Sequence, residues 1–271
     1  MQEIEKISEQ IERSALASLH QCCPDDAKKK LDLKLVEVAD GLIAMSGGDP
    51  SILINRTLGL GAAQPTTAKT IESVIQHYSE NHISNYFIHL YENELTDDAH
   101  ELLASDRLIN KRGWMKFALD SPQPRVAETS LRVEKIGPAN SNDFGTIVCA
   151  AFGMSELSVP LLAGIVNDDR WHIFLSFEGD NPAGAGALFV EGENAWLEWG
   201  ATSPDYRRRG SQAAIMAARL SLASKLGCER VFTETGEAVK GDPQHSYKNI
   251  LKAGFQESIL RQNWCAAQDR E

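Results

Sequence analysis

Three consecutive arginines followed by a glycine form the segment of this sequence best suited to binding an anion. The segment Arg207-Arg208-Arg209-Gly210 is followed directly by Ser211-Gln212-Ala213, where a long helix is predicted to begin. Free amides and the macrodipole at a helix N-terminus attract negative charge, and a glycine lets a ligand approach the backbone. This combination favours a site for a diphosphate. A solvated basic turn that only caps the helix is the alternative.

The elements that position this turn are predicted from apolar periodicity and turn residues. Strands are predicted over 131–136, 173–177, 185–190, 195–202, 230–235 and 255–264, and helices over about 141–151, 210–226 and 244–253. The arginine turn therefore joins the end of a strand to the start of a helix. The whole pattern predicts an α/β (α+β) fold with a mixed central sheet flanked by helices.

Four motifs follow one another in the second half: Leu131-Arg132-Val133, Ala150-Ala151-Phe152-Gly153, Arg207-Arg208-Arg209-Gly210-Ser211-Gln212, and Tyr247 to Phe255. In this order they resemble the GNAT superfamily of N-acetyltransferases, and the resemblance covers about 129–266. The phosphate loop of that family reads Arg/Gln-x-x-Gly-x-Gly/Ala, and Gln212 departs from its last small residue. The resemblance implies acetyl-CoA as co-substrate, its pyrophosphate on the loop amides. The cofactor-binding residues it implies are Gly200, Ala201, Thr202, Arg207, Arg208, Arg209, Gly210, Ser211, Gln212, Ala213, Ser246 and Asn249.

Acetyl transfer to an amine requires a group that removes a proton. A lysine-like amine has a pKa of ~10.4 and arrives protonated, whereas only the neutral amine attacks a thioester. The base is expected on the strand before the phosphate loop, where Glu198 is the only carboxylate. Alternation along the strand puts its side chain on the face of Trp196 and Gly200. A surface carboxylate is the alternative, and Glu234 on the next strand is a second candidate.

The general acid is the point at which the sequence departs from the family. Many members have a tyrosine four residues before the glycine of the final Gly-Phe pair, where this sequence has Ile250. Tyr247, one helical turn earlier, is the candidate acid, with aromatic packing as the alternative. If Tyr247 lies too far away, the thiolate leaves unassisted. Ser246 and Asn249 share its helical face.

The first half of the sequence repeats the order of motifs found in the second half. Leu58-Gly59-Leu60-Gly61 precedes Pro65 much as Glu198-Trp199-Gly200 precedes Pro204, and a predicted helix and strand follow each. A helix over 2–19 and a strand over 33–44 are also predicted, and a short helix is predicted to end at Gly113-Trp114 as another ends at Gly254-Phe255. We therefore predict two tandem copies, 1–120 and 129–266, joined by a linker that begins at Ser121-Pro122-Gln123-Pro124.

The first copy is predicted to lack a phosphate site. Its corresponding loop, Ala62–Lys69, has no arginine and no glycine after the proline. Tight CoA binding is therefore not expected there. The first half becomes a structural module or one wall of the amine pocket.

Composition excludes several other classes of protein. The 271 residues carry 27 Lys and Arg against 38 Asp and Glu, a net charge of −11, which disfavours binding to nucleic acid or to an anionic membrane. The five cysteines are scattered, the histidines have no metal-ligand spacing, and the acidic start is unlike a signal peptide, so a cytoplasmic protein without a metal is expected. An acidic surface also suits a cationic substrate.

The sequence therefore predicts an acetyl-CoA-dependent N-acetyltransferase that acts on a primary amine of a small molecule or peptide. The alternative is a catalytically silent GNAT-like protein that binds CoA as a sensor or scaffold. Ile250 and Gln212 are the residues that keep this alternative open.

Overall fold

The computed structural model describes residues 1–267. Its helices are α1 (Glu3–Cys22), α2 (Asp25–Leu31), α3 (Ala68–Glu80), α4 (Asp97–Leu103), α5 (Ser141–Phe152), α6 (Val159–Gly164), α7 (Ser211–Lys225) and α8 (His245–Lys252). Its strands are β1 (Leu33–Val38), β2 (Gly41–Ser46), β3 (Arg56–Leu58), β4 (Phe87–Leu90), β5 (Leu108–Asp120), β6 (Arg132–Lys135), β7 (Trp171–Glu178), β8 (Asn181–Glu191), β9 (Asn194–Thr202), β10 (Arg230–Gly236) and β11 (Gln256–Ala266). Short 3-10 turns connect several of them.

All the strands lie in one mixed sheet. Their order is β1-β2-β3-β4-β11-β5-β10-β9-β8-β7-β6. Two neighbouring pairs are parallel, β3 with β4 and β9 with β10, and each pair lies in the middle of its own half of the chain. The other neighbours are antiparallel. This arrangement, with helices flanking the sheet, confirms the predicted fold class.

The two halves exchange their last strands. β5 closes the first half, yet it pairs with β10 along its length from Trp114 to Asp120. β11 closes the second half, and it lies between β4 and β5 of the first. Each half therefore completes its sheet with a strand from the other, and backbone hydrogen bonds run across the whole molecule.

Helix α1 lies against strands of the second half, although it begins the chain. Its apolar side chains Ile11, Ala15, Leu16 and Leu19 recur at helical spacing and are all buried. They belong to the same core cluster as Trp171, Phe189 and Trp196. Because this apolar face packs against side chains of the second half, α1 lies close to the parallel pair β9 and β10.

Several sequence predictions differ from the structure. The segment 33–44 forms the hairpin β1–β2 rather than one strand, and α6 was not predicted. Gly113-Trp114 does not end a helix: it lies inside β5, whereas Gly254 follows α8 with a φ of 87°. A glycine-aromatic pair is compatible with either setting, so the correspondence with Gly254-Phe255 was wrong. Residues 121–131 contain no helix or strand, and the division into 1–120 and 129–266 stays a prediction.

No helix within residues 1–267 combines the length and the apolar character needed to cross a membrane.

Candidate functional site

The parallel strands β9 and β10 pair at one end and separate at the other. Their register runs only from Arg230↔Asn194 to Phe232↔Trp196, and Thr233 Oγ1 donates to Leu197 O at 3.0 Å where the pairing stops. Beyond that point a cavity of about 330 Å³ opens between them. The split leaves backbone groups of β9, including those of Gly200, without a partner on β10.

A bulge in β9 shapes the mouth of this cavity. The pairing of β8 with β9 shifts register between Ala185 and Ala187, and Trp199 in the opposing segment has a φ of 58°. A left-handed conformation is uncommon for a bulky residue and marks a locally constrained backbone. Trp199, Gly200 and Phe152 line the cavity on this side.

The arginine turn lies where the sequence predicts it, between β9 and α7. Pro204–Tyr206 forms a 3-10 turn, Arg208 and Gly210 have φ values of 61° and 83°, and α7 begins at Ser211. No described side chain caps α7, so its first amides are open to a ligand. A Cβ on Gly210 would lie 2.5 Å from the carbonyl oxygen of Glu128. Both the positive φ and this close approach require a glycine here.

The predicted cofactor residues divide into a loop group and a helix group. In the loop, Arg209 is paired with Glu178 and accepts a hydrogen bond on its carbonyl from Thr129 Oγ1 at 2.8 Å. Ser211 is buried, and its hydroxyl hydrogen-bonds that of Ser176 at 2.8 Å. These contacts of Arg209 and Ser211 therefore stabilise the conformation of the turn.

Gln212, Ser246 and Asn249 form the helix group, which joins α7 to α8. Asn249 Nδ2 donates to Gln212 Oε1 at 2.7 Å, and Gln212 Nε2 donates to Ser246 Oγ at 3.4 Å. Gln212 and Ser246 line the cavity. Ala201 and Thr202 lie on β9 opposite Ala185 and Gly184.

The two candidate bases share one buried arginine from the first half. Arg56 Nη2 donates to Glu198 Oε1 at 2.8 Å, and Arg56 Nη1 donates to Glu234 Oε1 at 3.3 Å and to Glu12 Oε1 at 3.2 Å. Arg56, Glu198 and Glu234 all line the cavity. The side chains of Glu198 and Glu234 are only 12% and 11% exposed. Glu198 is therefore not a surface carboxylate.

The ion pairs continue inward as a network of four carboxylates and three cations. Glu12 is paired with Arg56, Lys116 and Arg261, Glu9 with Lys116 and Arg261, and Arg261 Nη2 also donates to Glu234 Oε2 at 2.5 Å. With every member ionised, Glu9, Glu12, Glu198 and Glu234 exceed Arg56, Lys116 and Arg261 by one negative charge. Binding one proton or one external cation would neutralise the network.

Burial divides the carboxylates into two kinds. Burial raises the pKa of Glu234 to about 7 against the lowering effect of Arg261, and it raises the pKa of Glu198 above 4.5 against the effect of Arg56. Glu12 is also desolvated, but Arg261, Lys116 and Arg56 together hold its pKa well below 4.5. The carboxylates that face the cavity are therefore the ones whose pKa lies closest to neutral pH.

Tyr247 does not reach the cavity. Its hydroxyl donates to Glu257 Oε1 at 2.5 Å, and its ring packs edge-on against Phe117 at 4.9 Å between centroids. Burial and then the hydrogen bond to Glu257 raise its pKa to about 12. The residues of α8 that line the cavity are Ser246 and Ile250. The geometry thus favours the packing alternative for Tyr247, because α8 turns its ring toward the core.

The corresponding loop of the first half is already filled by carboxylates. Asp40 Oδ2 accepts from the amides of Ala63 and Gln64, and Asp98 Oδ2 accepts from the amide of Ala68 at the start of α3. Thr67 caps the same helix through Thr70 N at 3.2 Å. These side chains occupy the donors that a phosphate would need.

Comparison with known proteins agrees with this geometry. Residues 149–247 match the family model described as the acetyltransferase (GNAT) family. Within the second half, residues 149–247 are thus similar to a GNAT domain. A comparison with curated protein sequences gave no match.

Solved structures extend the likeness of fold beyond the GNAT match, to the whole chain. A GCN5-related N-acetyltransferase from Kribbella flavida has a TM-score of 0.66 at 12% identity, covering 97% of this chain and 96% of that one. A GCN5-related N-acetyltransferase from Sphaerobacter thermophilus has a TM-score of 0.59 at 12% identity, covering 85% and 82%. A GNAT-family acetyltransferase from Colwellia psychrerythraea has a TM-score of 0.53 at 14% identity, covering 99% and 98%. The tandem GNAT-like fold is thus shared with other chains.

Several residues of the site lie outside the sequence predictions. Arg56, Trp114, Lys116 and Arg261 come from β3, β5 and β11, and their place at the cavity or the network depends on strand exchange. One pattern in the sequence could have indicated the charge network. Glu5, Glu9 and Glu12 are spaced four and three residues apart in α1, so they share one helix face, and all three are buried. Acidic residues on a buried face require cationic partners elsewhere.

Proposed function

We propose that this protein is an acetyl-CoA-dependent N-acetyltransferase whose acceptor is a primary amine of a small molecule or peptide. The observation that carries the proposal is the cavity between β9 and β10, because it joins two kinds of group. Gln212 and Met216 of the uncapped helix α7 line it, the arginine turn directly precedes that helix, and two buried carboxylates face into it. The first suits a diphosphate, and the second suits an ammonium group that must lose a proton.

The residues present fit CoA at the α7 side of the cavity. The open amides at the start of α7, with Arg207 and Arg208, would hold the pyrophosphate, and the unpaired edge of β9 at Gly200–Thr202 would hold the pantetheine arm. Gln212, Ser246 and Asn249 offer amide and hydroxyl groups along the same wall. When bound, acetyl-CoA supplies the activated acetyl group.

The acceptor amine is proposed to enter from the side of the first half. Leu53, Arg56 and Trp114 line the cavity there, next to Glu198 and Glu234. Glu198 and Glu234 attract positive charge, so their side of the cavity favours an ammonium group. Glu198, kept ionised by Arg56 at 2.8 Å, is the proposed base that takes the ammonium proton, and Glu234 is the second candidate.

Departure of the thiolate is proposed to need no tyrosine. Ile250 is apolar and the hydroxyl of Tyr247 is bound to Glu257. A thiol is acidic enough for its anion to leave and to be protonated by water, since the unperturbed pKa of a thiol is about 8.5.

A screen of amines for release of free thiol from acetyl-CoA tests this function. Polyamines, amino acids, aminoglycosides and peptides are the classes to include. We expect thiol release with at least one cationic amine, and stoichiometric acetylation of it by mass spectrometry. Thiol release that is independent of any amine would contradict transfer.

Binding of CoA without catalysis is the second candidate function. Ile250 and the engaged hydroxyl of Tyr247 favour it, because the site offers no acid at the position usual for the family. Saturable binding of acetyl-CoA, together with no thiol release with any of the amine classes, would favour this candidate.

A further inference from the structure

Arg219 is a buried arginine without a carboxylate partner. It lies in the middle of α7, its residue is 3% exposed, and no carboxylate within residues 1–267 forms a salt bridge with it. The other deeply buried arginines, Arg56 and Arg261, are each paired with several glutamates. A buried charge that lacks a counter-ion is costly, so an arginine in this position needs a reason.

One nitrogen of the guanidinium, Nη1, donates hydrogen bonds to backbone carbonyls of the sheet. Arg219 Nη1 donates to Ala187 O at 3.0 Å and to Glu198 O at 3.2 Å, beside the bulge of β9. Gly186 makes the room for it, because a Cβ there would lie 3.0 Å from Arg219 Cζ. These contacts hold the guanidinium rigidly beneath the β9 strand.

The remaining nitrogen faces the cavity. No residue in the described range 1–267 accepts a hydrogen bond from Nη2, which lies 3.8 Å from the position of a Cβ on Gly200. Arg219 and Gly200 both line the cavity. Burial lowers the pKa of Arg219 to about 10, so it keeps its charge at neutral pH. Two N–H donors with a full positive charge nearby are therefore aimed at the segment of β9 assigned above to the thioester arm.

We propose that Arg219 Nη2 donates to the carbonyl oxygen of the acyl group and stabilises the negative charge that forms there during transfer. This role rests on the proposed function. The amine lone pair forms the new N–C bond while the carbonyl π pair moves onto the oxygen beside Arg219. That pair returns as the C–S bond breaks, and the sulfur leaves with the bonding electrons as thiolate. Glu198 takes one proton from the ammonium before the attack, and the second proton that the nitrogen loses passes through water to the thiolate. Preorganised donors at the site of developing charge are usually the largest single contribution to catalysis.

Two CoA thioethers test the proposal without knowledge of the acceptor. Alkylating the thiol of CoA with iodoacetate or with iodoacetamide gives S-carboxymethyl-CoA and S-carboxamidomethyl-CoA, which have nearly the same shape and differ by one negative charge. Titration calorimetry of the intact protein should show the carboxymethyl compound binding about tenfold or more tightly, despite the neighbouring Glu198 and Glu234. In Arg219→Gln this ratio should fall to about one or below while the affinity for CoA itself stays within about threefold.

The outcomes separate the two proposals. Arg107→Gln, a surface arginine paired with Glu72, is the matched control and should keep the wild-type ratio. If Arg219→Gln does not fold, Arg219→Lys, which keeps the charge, should retain a preference for the anion, and a wild-type ratio of one or less still overturns the role. A wild-type ratio of one or less, or a ratio that persists in Arg219→Gln, overturns the role of Arg219 alone. Absence of CoA binding overturns the proposed function and this role together.

Discussion

At the scale of single residues, the site depends on the carboxylates of Glu198 and Glu234, which face the cavity. They are buried to the same degree but form ion pairs with different arginines. Within residues 1–267, Glu198 is ion-paired only with Arg56, whereas Glu234 is held by Arg261 and more distantly by Arg56. Burial raises the pKa of both, and that of Glu234 reaches about 7. A carboxylate with a raised pKa that stays within reach of a substrate is suited to proton transfer near neutral pH.

Replacing Glu198 by glutamine removes the proposed base. We expect kcat/KM to fall roughly 100- to 10,000-fold, the range found for general bases. In the wild type, kcat/KM should rise with pH through the raised pKa of Glu198, and this acidic limb should be absent from the variant. A rate–pH profile measured with the acceptor found in the amine screen checks both effects. Glu193→Gln, an exposed carboxylate in the β8–β9 turn, should behave as wild type; an unchanged limb in Glu198→Gln would remove it from the role.

Replacing Glu234 by glutamine should change how stability depends on pH. The pKa of Glu234 is raised from 4.5 to about 7 on folding, so the folded chain binds the proton more tightly than the unfolded chain. The contribution of Glu234 is therefore fully present below pH 4.5 and is lost as the pH rises to about 7. Denaturant titrations across this range should show the free energy of unfolding of the wild type falling relative to that of Glu234→Gln. If the free energies of unfolding of the wild type and Glu234→Gln changed with pH in parallel, the raised pKa would be contradicted. Glu229→Gln, which replaces an exposed carboxylate, is the control and should follow the wild type.

At the scale of elements, the important unit is β9, its turn and α7. The bulge at Trp199 and the loss of pairing after Phe232 open the cavity, and the two positive φ values at Arg208 and Gly210 turn the chain into α7. The same unit in the first half has β3, a loop and α3, but Asp40 and Asp98 take the loop amides. We propose that the turn before α7 is an open anion site, whereas the corresponding amides of the first half are already bound by Asp40 and Asp98.

Gly210→Ala should damage the open site specifically. A residue with a Cβ at a φ of 83° is strained by about 1–2 kcal/mol, and this Cβ would also meet the carbonyl of Glu128 at 2.5 Å. We expect the affinity for acetyl-CoA, measured by calorimetry, to fall about tenfold because the loop must shift. Gly137→Ala is the matched control, since a Cβ there meets nothing within 4 Å. Equal affinities in the two variants would show that the turn does not hold the ligand.

Local elements of the site were predictable from sequence, and the charge network was not. The strand before the arginine turn and the helix after it follow from periodicity and from Gly210, which are properties of neighbouring residues. The partners of Glu198 and Glu234 are Arg56 and Arg261, which lie far away in the chain and reach them through strand order. The orientation of Tyr247 could not be predicted, because helical spacing gives a face but not which face meets the core.

At the scale of the whole molecule, strand exchange makes the cavity between β9 and β10 a joint product of both halves. Glu12, Arg56 and Lys116 come from the first half, Glu198 and Glu234 from the second, and Arg261 from the exchanged strand β11. The first half therefore contributes charge and cavity wall to the site of the second. Its own loop is not needed for this role.

Cutting the chain between the halves should leave them associated. A protease site in place of residues 122–127, where the structure has neither helix nor strand, allows cleavage of the folded protein. Because β5 lies between β10 and β11, separation would break backbone hydrogen bonds along three strands. We expect the cleaved protein to elute as one species in size-exclusion chromatography and to unfold in one transition. Two smaller folded species would contradict the strand exchange.

The central claim is that one open CoA site exists, in the second half, while the first copy is closed by its own carboxylates. Calorimetric titration of the intact protein with acetyl-CoA tests it most directly, because the stoichiometry reports the number of sites. We predict one molecule of acetyl-CoA per chain. Absence of binding, or two molecules per chain, would contradict the account.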